Sequence, residues 1–214
     1  MTSELQPLLD ALAALGPVAA IHEQLVRPSS KPLHIAPVIG AARTPLVAAL
    51  AQLHSAPMLY VVHTSEAAFR AAEDLAVWLG AERVVLFPAA DALPYEHMSP
   101  AADLVVGRLG VLRQLVDAAQ SPMVIVAPVK ALTQPTFSRA DLAAATTRIE
   151  RGDTFDLDQL VERWITIGYR VAPTVEEPGE INRRGGIIEI FPPGDDMPLR
   201  IGVFGGELDS LRRF

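Results

Sequence analysis

The sequence predicts an α/β fold in two parts: a parallel-sheet domain over residues 1–138, then a small α+β domain with an antiparallel sheet over residues 139–214. Three observations lead there. Apolar runs at residues 32–38, 58–62, 84–87 and 123–127 alternate with helix-patterned stretches, as in a parallel sheet covered on both faces. Past Pro135, charge alternates with apolar residues in short segments joined by Gly and Pro, the pattern of half-buried antiparallel strands. Half of the 214 residues are apolar, enough to bury a real core.

In order, residues 5–15 read as an amphipathic helix and 19–26 as a second, short one. Residues 32–38 read as the first buried strand. The turn Ile39-Gly40-Ala41-Ala42 leads into an Ala- and Leu-rich helix over 44–54. A strand over 58–62 precedes a helix over 65–79, with Ser65 placed to cap it and Gly80 to stop it. A short strand at 84–87, a Pro-rich loop over 88–100, a helix over 102–119 and a strand over 123–127 complete the first domain. In the second, a helix over 156–167 is followed by strand-like segments at 169–175, 186–191, 199–204 and 208–214.

Composition excludes several function classes. With 18 Lys and Arg against 25 Asp and Glu, the formal charge is −7, which argues against strong DNA binding, since affinity for a phosphate backbone comes from clustered cations. The absence of cysteine removes disulfides and thiolate chemistry and fits a cytoplasmic protein. No apolar run approaches the ~20 residues a membrane-spanning helix needs, and residues 1–7 show no export signal, so no membrane role is expected. The five histidines, His22, His34, His54, His63 and His97, lack the i, i+4 spacing of a helical metal pair. The carboxylate pairs Glu176-Glu177 and Asp195-Asp196 sit beside Pro or Gly in turns, and no serine lies in a Gly-x-Ser-x-Gly elbow. No catalytic residue, metal or cofactor is expected.

The turn at Gly40 carries the next inference. A working P-loop needs Gly-x-x-x-x-Gly-Lys-Ser/Thr after the first strand, so that backbone N–H groups curl around the phosphates, the Lys reaches the terminal phosphate and the hydroxyl binds magnesium. Here Gly40 is followed by Arg43, Thr44 and Pro45, with no second Gly and no Lys. The reading is a degenerate nucleotide loop serving as a helix-capping turn, without ATP hydrolysis.

Three segments together carry a family resemblance. Leu93-Pro94-Tyr95-Glu96 with Ser99-Pro100 and Arg108 resembles a segment of the bacterial transcription-repair coupling factors (Mfd). The stretch from Val124 through Lys130 to Gln134-Pro135 resembles the strand and turn that close their first domain. Gly179-Glu180, Arg184-Gly185-Gly186 and Glu189-Ile190-Phe191-Pro192 are similar to a hairpin shared by Mfd and UvrB. The resemblance implies a degenerate, helicase-like α/β domain followed by an α+β domain that binds UvrA. It makes the chain a non-catalytic part of an ATP-dependent DNA translocase, one that recruits UvrA to stalled transcription complexes in nucleotide excision repair. The expected partners are UvrA and other domains of the parent. Alternatives of a different class are an autoinhibitory lid that restrains the parent's motor, and a vestigial ATPase or DNA-binding domain.

The UvrA-binding role carries over first to Arg184, the Arg before the glycine, then to Arg170, Arg183 and Phe191. Arg183-Arg184-Gly185-Gly186 reads as a turn or bulge before a strand, with the glycines allowing angles a side chain forbids. In an extended segment adjacent arginines point to opposite faces, so at most one of Arg183 and Arg184 meets a given partner. The bland alternative pairs Arg184 with Glu180 or Glu189 across the hairpin. Phe191, Tyr95 and Trp164 read more readily as packing residues.

Overall fold

The computed structural model describes residues 5–27, 31–90, 102–116 and 124–214. In chain order the elements are α1 (Gln6–Ala13), α2 (Gly16–Val26), α3 (Gly40–Leu53), β1 (Met58–Val62), α4 (Ser65–Leu79), β2 (Val84–Leu86), α5 (Ala102–Val116), β3 (Val124–Pro128), α6 (Val129–Thr133), α7 (Arg139–Ala145), α8 (Leu157–Thr166), β4 (Arg170–Val171), β5 (Glu180–Arg184), β6 (Ile187–Ile190), β7 (Leu199–Phe204) and β8 (Glu207–Arg213). Of the described residues, 5–27, 31–90 and 124–135 form one compact unit, and 102–116 with 136–214 form a second. Helix α5 therefore groups with the second unit although it lies between β2 and β3 in sequence.

The first unit is built on a parallel three-stranded sheet in the order β1-β3-β2. Central β3 is buried at every position, which is why its sequence is a continuous apolar run. Leu9 of α1, Ala48 to Ala51 of α3 and Ala68 and Leu75 of α4 pack with Val124 and Val126 into one core. Helix α4 is capped by Thr64, whose hydroxyl accepts from the Ala67 N–H at 3.1 Å, and not by Ser65, which is already helical. Gly80, at φ +92°, ends it as expected. The loop after β2 is held by Gln134, whose side-chain amide donates to the Ala90 carbonyl and accepts from the Ala90 N–H, both at 2.8 Å. The Leu93-Pro94-Tyr95-Glu96 segment beyond it lies outside the described residues.

Two expectations in this unit are corrected. Residues 32–38 form no strand. Pro32 and Pro37 remove two backbone donors from a seven-residue stretch, and Leu33 and Ile35 are exposed rather than paired into a sheet. Helix α3 begins at Gly40, four residues before the expected start at 44. Ala41 and Ala42 are strong helix formers, and the Ala42 N–H bonds the Ile39 carbonyl at 2.9 Å, so the turn read as a loop is the first helical turn.

The second unit carries a five-stranded sheet in the order β4-β5-β6-β7-β8. It is mixed rather than antiparallel, because β4 pairs parallel to β5 while the other neighbours run antiparallel. Only two residues of the expected strand over 169–175 pair, and Pro173, lacking an N–H, follows them. Leu160 and Trp164, one turn apart on α8, pack on Ile181, Ile188, Ile190, Ile201 and Leu208, the inward positions of four strands. Asp156 caps α8, accepting from the N–H groups of Asp158 and Gln159. Helix α7 was not expected; its signal is a capping box in which the Ser138 hydroxyl accepts from the Asp141 N–H and the Asp141 carboxylate accepts from the Ser138 N–H. Arg113 of α5 pairs with Asp195 at 2.6 Å and donates to the Gly194 carbonyl.

Candidate functional site

With α8 on one face of the second sheet, alternation along the strands sends every other residue to the opposite face. Strand β5 and strand β6 form the hairpin on which the sequence placed its site. Arg183 and Arg184 are not in the turn but are the last residues of β5, opposite Ile188 and Ile187. The turn is Gly185-Gly186, and the two glycines serve different needs. Gly185 sits at φ +62°. A Cβ on Gly186 would lie 2.5 Å from the Val203 carbonyl oxygen, so that residue is glycine for space.

The two arginines point to opposite faces. Arg183 shares its side with buried Ile188 and pairs with Asp158 in the first turn of α8. Arg184 lies on the outward face, exposed, and donates to the Pro173 carbonyl at 2.8 Å. Asn182, two residues earlier on the same face, donates to the same oxygen at 2.7 Å. Arg184 therefore pairs with neither Glu180 nor Glu189. Glu180 accepts from the N–H groups of Glu176 and Glu177, both at 2.9 Å, and these bonds, with Arg170 adding to them, hold its carboxyl below the usual carboxylate range. Arg170 pairs with Glu177 at 3.3 Å and Glu180 at 3.7 Å. Glu189 pairs with Arg200 at 2.7 Å, and the Arg200 guanidinium lies 4.4 Å above the Phe214 ring. Phe191 is buried and offers no side chain to a partner.

Register aligns two rows across this outward face: Asn182, Glu189, Arg200 and Arg212, and Arg184, Ile187, Gly202 and Ser210. Within these two rows three arginines stand against one carboxylate, on a chain whose net charge is −7. Such a face suits bidentate capture of carboxylates. Arg200 and Arg212 were not among the binding residues expected from the sequence. Their shared face depends on pairings between strands, although the spacing of Ser210 and Arg212 two apart on one strand hinted at it.

The residues expected to mark the degenerate nucleotide loop do come together in the first unit. Gly40, Arg43 and Thr44 line an open cleft of about 320 Å³ with Tyr60, His63 and Arg70, where Arg70 pairs with Glu66. No strand runs into Gly40. Among the described residues no group of three or more His, Cys, Asp or Glu could hold a metal, and no helix is long and apolar enough to cross a membrane.

Residues 147–214, which contain α8 and all five strands of the second sheet, match the family described as the UvrB interaction domain. Residues 147–214 belong to the UvrB interaction domain family. The UvrB interaction domain thus includes the cationic face, the β5–β6 hairpin and the helix to which Arg183 is tied. Over most of its length the chain is also homologous to transcription-repair-coupling factors: it is 36% identical to that of Myxococcus xanthus over 181 residues, 31% to that of Bacillus subtilis over 180 and 30% to that of Escherichia coli over 175. These alignments cover 82%, 84% and 82% of this chain, and the chain spans about 15% of the length of each relative.

Proposed function

We infer that this chain is a non-catalytic docking module of a transcription-repair coupling factor, and that the outward face of its second sheet recruits UvrA in nucleotide excision repair. One observation supports this most: within the UvrB interaction domain, Arg184 stands exposed with its guanidinium fixed by a single carbonyl bond. A guanidinium carries five N–H donors, so most remain available to a carboxylate. Arg170 stands on neighbouring β4 opposite Glu180, at the other end of β5 from Arg184. Arg183 acts behind the face, tying the hairpin to α8.

The first unit is read as a helicase-like scaffold without nucleotide chemistry. It keeps a parallel sheet, while the segment with Gly40, Arg43 and Thr44 has neither the second glycine and lysine of a P-loop nor a strand leading into it.

Titration of purified UvrA against the chain tests the docking reading. The unmodified chain binds. Arg184→Ala weakens binding tenfold or more, the effect of truncating a paired interface arginine at about 2 kcal/mol, with thermal stability unchanged. A chain that fails to bind UvrA overturns the reading.

A further inference from the structure

Beyond the hairpin, the outward face continues into a cleft of about 250 Å³ between β6 and β8. Its walls are Ile187, Arg200, Ser210, Arg212, Arg213 and Phe214, and Gly202 forms its floor. A Cβ on Gly202 would meet the Ser210 hydroxyl at 2.5 Å, so glycine is what keeps the floor low. The lining is of two kinds. Ile187 and Phe214, 47% and 40% exposed, are the apolar part of the lining and stand beside cations. Arg200 is partly neutralised by Glu189, whereas the Arg212 guanidinium has no hydrogen bond or ion pair among the described residues.

We propose that this cleft is a second subsite of the UvrA surface, taking an acidic segment whose carboxylate meets Arg212 and whose neighbouring apolar side chain lies between Ile187 and Phe214. The proposal rests on the docking reading above and adds the chemistry of what docks. Charge complementarity selects the occupant. The two rows carry a local excess of cations on a chain of net charge −7, so an acidic segment is drawn to this face and repelled elsewhere. A nucleic acid fits less well. Phosphate backbones reward many unpaired cations, and here Arg170 and Arg200 already hold Glu177, Glu180 and Glu189. Arg200 stacked on Phe214 gives the cleft a fixed rim, so less ordering accompanies binding.

The test compares Arg212→Glu and Ile187→Ser with Arg184→Ala in UvrA titrations. Both cleft positions are exposed, so folding is preserved, and unchanged melting checks this. Arg212→Glu is expected to weaken UvrA binding at least tenfold and Ile187→Ser about threefold. If Arg184→Ala weakens binding while both cleft variants bind as the unmodified chain, the cleft assignment is overturned and the docking reading stands. A separate arm uses a synthetic peptide of alternating Glu and Leu with blocked ends, followed by amide chemical shifts. Shifts confined to residues 187, 202, 210 and 212, lost with Arg212→Glu, support the subsite even if UvrA does not bind. No shifts there overturn it. Duplex DNA bound by the chain and released by Arg212→Glu overturns it in favour of a phosphate site.

Discussion

Gly185 and Gly186 are neighbours, yet replacing each should fail for its own reason. Ala at 185 must adopt the left-handed region, at about 1 kcal/mol. Ala at 186 drives its methyl into the Val203 carbonyl, where the Val203 N–H also bonds the Gly186 carbonyl at 2.8 Å, so the strand pair itself must shift. We expect Gly186→Ala to lose about 2–3 kcal/mol in denaturant unfolding and to exceed Gly185→Ala. Equal losses would mean that the backbone angle, not the contact with β7, governs the turn. Arg184 was singled out by the family resemblance rather than by local spacing, which offers Arg183 equally well. The sequence could not supply the Pro173 carbonyl that fixes Arg184, which comes from a loop 11 residues away.

At the scale of elements, legibility followed the strength of the local signal. Helix α8 has an Asp cap and an apolar pair one turn apart, both readable, and β6 and β7 alternate plainly. Strand β5 is not announced by the sequence, and its last two residues, Arg183 and Arg184, read as part of the turn, because Glu180-Ile181-Asn182-Arg183-Arg184 contains a single apolar residue and no alternation to detect. Its strand state is imposed from both sides, by β4 and β6. The stretch over 32–38 erred the other way: its composition is strand-like, but its prolines cannot donate to a ladder. Asp156→Ala tests how far α8 depends on its local cap. Two N–H groups lose their acceptor, and a loss of about 1 kcal/mol is expected in thermal or denaturant melts. A neutral result would show that packing on the sheet alone holds the helix.

For the whole molecule, two separate apolar clusters imply two separable responses. Leu75 is fully buried in the first and Ile188 in the second. Either one replaced by Ala should lose about 2–5 kcal/mol from its own core. Hydrogen exchange should then show faster amide exchange in β1 to β3 for Leu75→Ala, and in β5 to β8 for Ile188→Ala. Uniform acceleration across both sheets would mean that the units unfold as one. UvrA titrations with Leu75→Ala follow from the same division: the docking face lies outside the first core, so affinity should stay within about twofold at temperatures where the second unit remains folded.

Strand β3 sits between β1 and β2, yet it is the last of the three to be made. On the ribosome, β1 and β2 emerge with no neighbour to pair with, and the ladder closes only once residue 128 has cleared the exit tunnel. By then α5 has already been synthesised, although its own unit awaits residues 136–214. The first sheet thus cannot be completed in step with synthesis, and the nascent chain carries unpaired apolar strands across some 66 residues, from Val62 to Pro128. That is the interval over which a holding chaperone would have most to bind.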